Sequence, residues 1–284
     1  MFKKKIMALG LALTMSFSLF GCGSGSGNAT EAATAAGNEG ASAEVSTDGS
    51  DLAKVKEKGT LVVGITDFEP MDYKDEGGKW IGFDADMAAA FADNLGVKVE
   101  FVEIDWDNKV LELNSGNIDC VWNGMTLTDE VKSAMDCSNP YCNNAQIVIV
   151  PADKADQYLT EDSIKDLSFA VEAGSAGEAE AQSHGFKSTP VQNQAGALME
   201  VKSGTSDAAI IDSLMAAAMV GEGTSYADLT YTVGLNSEEY GVGFRKGSDL
   251  VGELNSFFVS SYADGSMQKT AEKYGVQAAL IEQK

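Results

Sequence analysis

From Asp51 onward, short apolar runs rich in β-branched residues alternate with helical patterns, and no other feature of the chain constrains its fold as tightly. The runs are LVVGI (61–65), VKVEFV (97–102), IDCVW (118–122), IVIVP (147–151), SFAVE (168–172) and DAAIID (207–212), each bounded by turn residues. Between them lie helical stretches such as DADMAAAFADNLG (84–96), with Asp84 placed to cap its start and Gly96 to end it. A second is NQAGALMEVKSG (193–204), closed by Gly204. Strands alternating with helices predict parallel sheets in an α/β architecture, whose ligands gather at the carboxyl ends of the strands. Residues 51–284 number 234, long for one compact lobe and comfortable for two, and no internal repeat is visible.

The N-terminus states where such a domain works. Met1 to Lys5 is basic, and Ile6 to Phe20 is apolar apart from Gly10, Thr14, Ser16 and Ser18. That run is short of the roughly 20 residues a membrane span needs, so residues 1–21 read as an export signal. Gly21-Cys22 resembles the lipobox of bacterial lipoproteins, in which the cysteine is acylated and becomes the new N-terminus. Gly23 to Ser50 has no aromatic residue and a single large aliphatic, Val45, too little apolar surface to offset its chain entropy. Residues 22–50 are therefore expected to be a lipid-bearing cysteine and a tether of about 30 Å r.m.s. span. A lipid-anchored protein on the outer face of the cytoplasmic membrane is the expectation.

Removing residues 1–21 deletes Lys3, Lys4 and Lys5 and no acid, taking the net charge from −23 to −26. That balance argues against nucleic-acid binding, which is dominated by cationic contacts to phosphate. It says little about the ligand, since most of these acids belong on a solvated surface. Apart from Cys22 the cysteines are Cys120, Cys137 and Cys142, with no CxxC spacing. At most one internal disulfide is possible and free buried thiols are the expectation, with neither a metal site nor a cofactor.

Taken in order, the segments WIGFDADMAAAFADNLGVKVEFVEIDW, LNSGNIDCVWNGMTLTDE, CSNPYCNNAQIVIV, AVEAGSAGE, VKSGTSDAAIID and YGVGFRKGSDLVGELNSFF resemble the amino-acid-type (family 3) extracellular solute-binding proteins of ABC importers. The resemblance implies a type II periplasmic-binding-protein fold: two α/β lobes joined by two crossing strands, with a small-molecule ligand trapped between them. The crossings are expected at Ile147–Pro151 and Tyr240–Arg245. This makes lobe 1 residues 51–149 plus 240–284, and lobe 2 residues 150–239. It also implies a monomer that hands an amino acid or related amine to membrane permease subunits. The chain has no GxxxxGK[ST] of its own, so the ATPase must be a separate subunit.

The resemblance further implies a ligand site, residue by residue. Asp67 and Phe68 match the acid and the aromatic that follow the first strand, and Trp106 matches an aromatic that stacks on the ligand. Asn123, Gly124, Met125 and Thr126 match a turn that holds an amino acid's α-groups. Gly174, Ser175, Ala176 and Gly177 match a turn entering a helix, where unpaired N–H groups attract a carboxylate. Asp212 matches the acid that pairs with the α-ammonium, and also stands where it could cap a helix over 213–220. Two positions depart from the pattern. Val131 stands where the family carries a carboxylate-gripping arginine, and Glu172 stands where a lysine or a neutral residue is usual. Lys132 is the nearest cation in sequence, and Lys132 and Lys109 are the candidates to replace the arginine.

The site so composed suits a cationic solute, or an amino acid held by the Ser175 turn and the Thr126 hydroxyl, and disfavours glutamate and aspartate. A tethered sensing receptor is an alternative. An enzyme like the cyclohexadienyl dehydratases, which share the fold, is a weaker one: the lone histidine, His184, has no triad pattern around it. The N-terminal reading has its own test. Cys22→Ser should leave the precursor uncleaved at this site and free any processed protein from the membrane, read by detergent partitioning; retention of that variant would refute it.

Overall fold

A computed structural model describes residues 50–284; the expected export signal, Cys22 and the expected tether up to residue 49 lie outside the described residues. Ser50 belongs to the folded domain, its hydroxyl accepting the Ala53 N–H and capping the helix Asp51–Lys58. The chain builds two α/β lobes, each around one sheet. In the first, the strand order is Lys98–Glu103, Thr60–Ile65, Cys120–Thr126, Glu238–Phe244 and Asp136–Cys137, and Cys142–Asn144 also pairs with Glu238–Phe244. In the second, the order is Lys187–Val191, Ser168–Glu172, Ala208–Asp212, Gln146–Pro151 and Leu229–Gly234.

Both sheets are mixed rather than parallel. The expected parallel pairs are present at Thr60–Ile65 with its two neighbours and at Ser168–Glu172 with its two neighbours. The strands next to the crossings run antiparallel instead, because a chain that enters and leaves a lobe through adjacent strands reverses direction there. The crossings also fall earlier than expected. IVIVP pairs along its length with Ala208–Asp212 and Leu229–Gly234 and is wholly a second-lobe strand, since Val148, Ile149 and Val150 are fully buried between neighbours on both sides. The chain changes lobe at Ala145 and again over residues 235–237, just ahead of the strand Glu238–Phe244.

The helix Phe83–Leu95 buries Phe83, Met87, Ala88, Phe91 and Leu95, a stripe of helical period, and ends at Gly96 in the left-handed conformation (φ 77°). Asp84 does not cap it. Gly82 precedes the helix, and the carbonyls of Pro70 and Met71 accept the first N–H groups, which frees the Asp84 carboxylate to point inward. There it accepts the Gly124 N–H and the Tyr141 hydroxyl, each at 2.7 Å. Burial pushes its pKa up to about 7 against those two hydrogen bonds. Cys120, Cys137 and Cys142 are free thiols, the first and last buried.

Arg245, the sole arginine, lies outside the cavity lining described below and ties the helix Asp51–Lys58 to the segment around Leu113 and Ile118. Its guanidinium donates to Asp51 Oδ2 at 2.9 Å and to the carbonyls of Leu113 and Ile118 at 3.0 and 2.8 Å. Arg245→Met would strand Asp51 and two buried carbonyls together. We expect a loss of about 2–4 kcal/mol in urea unfolding, the scale for removing one partner from a part-buried charged network.

Candidate functional site

The carboxyl ends of the central strands of both lobes converge on one cavity of about 530 Å³. It follows from the topology: strands ending at Ile65, Thr126, Glu172 and Asp212 all deliver the residues after them to the same cleft.

Most residues expected from sequence line it: Phe68, Trp106, Asn123, Gly124, Met125, Thr126 and Val131 from the first lobe, Glu172, Ser175, Ala176 and Asp212 from the second. Asp67 does not. It is exposed, and burial of part of the carboxyl together with the nearby Glu103 raises its pKa. Asn123 to Thr126 are the end of a strand rather than a turn, since Met125 and Thr126 pair with Gly241 and Tyr240. The strand bends at Gly124, whose φ of 54° suits glycine, and a Cβ there would stand 2.5 Å from the Phe68 ring. Phe68 is held edge-on to Tyr240 at 6.3 Å between centroids, so glycine at 124 lets an aromatic face reach the cavity.

Several groups offered to a ligand by sequence already have partners. The Ser175 hydroxyl accepts the Glu178 N–H and caps the helix Ala176–Ser183. The Thr126 hydroxyl donates to Glu238 Oε1 at 2.7 Å. Asp212 precedes its helix without capping it. Its Oδ1 accepts from Asn144, from Gln146 at 2.9 Å and from Tyr240 at 2.8 Å, while Oδ2 accepts from Gln194. Burial, with Glu238 as a neighbouring negative charge, pushes Asp212 up to about 7.

Glu172 differs. It is 3 % exposed, its Oε1 has no hydrogen-bond partner, and burial and the charge of Asp212 push it up to about 8. Val131 is buried with Trp106, Ile104 and Met125 in one apolar cluster and is among the residues that line the cavity. The cation nearby is not Lys132, which is exposed and outside this cavity, but Lys109. Lys109 is one of the two candidates named above to replace the arginine. Its place at the start of the helix Lys109–Ser115, three residues after Trp106, was the available clue. Gln194, which also lines the cavity, opens a helix in the second lobe and carries no sequence signal of its role.

The profile of the bacterial extracellular solute-binding proteins, family 3, matches residues 61–277. The chain belongs to this family. It is 30% identical over 238 residues to the arginine-binding extracellular protein ArtP of Bacillus subtilis (strain 168), covering 81% of this chain and 89% of that one. It is 29% identical over 227 residues to the L-cystine-binding protein TcyJ of Escherichia coli (strain K12), covering 78% and 85%. Among solved structures it resembles an ABC uptake transporter substrate-binding protein from Streptococcus pneumoniae with bound histidine. That match has a TM-score of 0.74 and 30% identity, covering 82% of this chain and 99% of the other. The fold is accordingly that of the type II periplasmic binding proteins, as the motifs implied.

Burial of Glu172 has a measurable consequence. The carboxyl ionises near its ordinary 4.5 in the unfolded chain and near 8 in the native one, so the native state loses stability progressively as pH rises from about 4.5 to about 8. Glu172→Gln removes that loss. Its melting temperature should exceed that of the unaltered protein at pH 8.5 by several degrees, about 2–4 °C for each kcal/mol in a domain of this size, with the gap closing near pH 4.5. Equal melting temperatures at both pH values would contradict the assignment.

Proposed function

We propose that this protein is the capture subunit of an ABC importer and that its solute is an amino acid or a closely related amine. The observation that carries this reading is one cavity walled from both lobes by aromatic faces, a polar strand end and buried charged groups. A solute touching both lobes favours their closed arrangement by its differential affinity for it, and closure is what a permease can read. Members of the family named above bind arginine and cystine, and the cavity volume suits solutes of that size.

The partners follow from the same reading. The permease and its ATPase are separate chains, Cys22 carries a lipid at the outer face of the cytoplasmic membrane, and the binding protein works as a monomer. No helix among the described residues is long and apolar enough to cross a membrane. His184 stacks on Phe186 between Glu161 and Glu180, outside the cavity, a poor position for acid–base chemistry on a bound solute. Binding without turnover is therefore the reading we adopt.

Burial pushes Glu172 and Asp212 toward their neutral forms, but Asp107, Asp129, Glu130 and Glu178 still outnumber the single lysine Lys109 in the lining, so solutes with a net negative charge meet repulsion. A thermal-shift screen of the purified protein against amino acids and amines tests this. A true solute at 100 times its Kd should stabilise by about 2.7 kcal/mol. Glutamate and aspartate should give no shift, and Trp106→Ala should weaken the best binder by more than about 1 kcal/mol. Tight glutamate binding would refute the charge argument, and no response to any amino acid or amine would refute the proposal.

A further inference from the structure

Two acids in the core of the first lobe, Asp72 and Asp84, are fully buried and stand on stretches of backbone that touch. The Phe83 and Asp84 N–H groups donate to the carbonyls of Pro70 and Met71 at 3.0 and 2.9 Å, and a Cβ on Gly82 would run into the Met71 carbonyl and the Asp72 nitrogen. No ion pair among the described residues involves either acid.

Hydrogen-bond donors are shared unequally between them. Asp84 Oδ2 accepts the Gly124 N–H and the Tyr141 hydroxyl, each at 2.7 Å. The Trp122 indole N–H, outside hydrogen-bond geometry, also favours the charge on Asp84. Asp72 has no donor on either oxygen, and Asp84 Oδ1 has none. Two carboxylates in such surroundings cannot both stay ionised, because burial penalises each charge and each repels the other. The charge belongs on the acid that has donors. We propose that Asp84 and Asp72 are positioning residues for the cavity, with Asp84 the single carboxylate that holds Gly124 in place and Asp72 a neutral, protonated acid beside it. This arrangement holds the cavity wall whichever solute the cavity takes.

Both acids reach the cavity through the residues they hold. Gly124 lines it at the bend of the strand Cys120–Thr126. Phe68 lines it from a turn that Asp72 closes: the Phe68 N–H donates to the Asp72 carbonyl at 2.6 Å, and the Asp72 N–H donates to the Phe68 carbonyl at 2.8 Å. The Phe68 ring packs directly against Gly124, so the turn and the strand end form one piece of wall. A second charge behind that wall would push the two apart, and a proton on Asp72 removes the repulsion. Burial and the charge of Asp84 raise the Asp72 carboxyl well above the usual carboxylate range, in agreement. The other titratable groups facing the pair are Tyr141, Cys142 and Cys120. Burial raises each of them, and these acids add to it, so none supplies a compensating charge.

A pH titration of the Gly124 amide resonance, in heteronuclear NMR spectra of the purified protein without added solute, tests this. An amide that donates to a carboxylate responds when the carboxylate takes up a proton, so the resonance should move upfield as pH falls, with an inflection near 7. Asp84→Asn keeps the shape, gives up the charge and should abolish the inflection. Asp72→Asn exchanges one neutral group for another and should leave the inflection where it is. Were Asp72 ionised, its removal would lower the inflection by about one pH unit or more, the scale of a nearby like charge. Asp72→Asn should also melt higher than the unaltered protein at alkaline pH, because a carboxyl that is neutral when folded and ionised when unfolded costs stability as pH rises. A lowered inflection or a lower alkaline melting temperature in Asp72→Asn overturns the inference. So does a Gly124 resonance with no inflection in the unaltered protein, or one whose inflection survives in a folded Asp84→Asn protein. If Asp84→Asn does not fold, the Asp72→Asn measurements decide alone.

Discussion

A two-lobed binding protein needs its two chain crossings held at a fixed relation, and here a buried carboxylate does it. Asp212 ends a strand of the second lobe, and its side chain gathers Asn144 and Gln146 from the two sides of the first crossing, Tyr240 from beyond the second, and Gln194 from a second-lobe helix. Glu238 stands beside it, accepting from Asn144 and Gln146 at 2.7 and 2.9 Å and from Thr126. Two acids share amide donors at the point where the chain changes lobe. Charge-assisted hydrogen bonds of this kind are short and directional, and a buried acid without them would be costly. The hinge is therefore polar, and any rotation of the lobes must keep these partners or exchange them for others. Asp212 also lines the cavity, so the hinge and the cavity share one side chain.

The cavity follows the same rule at higher cost. Glu172 and Lys109 are both nearly removed from water, and burial pushes their pKa values in opposite directions toward neutrality. Water would have solvated each charge; the protein instead keeps them apart on facing lobes. Keeping two ionisable groups out of water in this way costs stability, as is common where side chains line a binding cavity. The helix carrying Val131 offers apolar packing against Trp106, while a cation from the neighbouring short helix enters the same space.

Much of the fold was legible in the linear chain. Each of the six apolar runs lies on a strand or overlaps one, because a half-buried pleat and a fully buried one both select β-branched residues. Gly96 and Gly204 end their helices in the left-handed conformation that other residues reach only with strain. The strand directions beside the crossings were not legible, since period says nothing about which way a strand runs. Nor was the role of Asp84: a short acid near a helix start fits capping, and only the neighbouring carbonyls of Pro70 and Met71 made a side-chain cap unnecessary. At the site, Phe68, Trp106, Glu172 and Asp212 stood out by type and position, but Asp67, of the same description, faces solvent.

The family, the α/β architecture and the neighbourhood of the cleft could be read from the linear chain, because apolar period and turn residues act over a few positions and survive without three-dimensional context. Which polar groups remain available to a solute was decided by the tertiary structure. Hydrogen bonds between residues as far apart as Thr126 and Glu238, or Lys109 and Gly174, consume some groups and leave others free. Whether a lysine reaches solvent or the cavity depends on the direction of its side chain and on what lies across from it, and neither is written in the local order of residues.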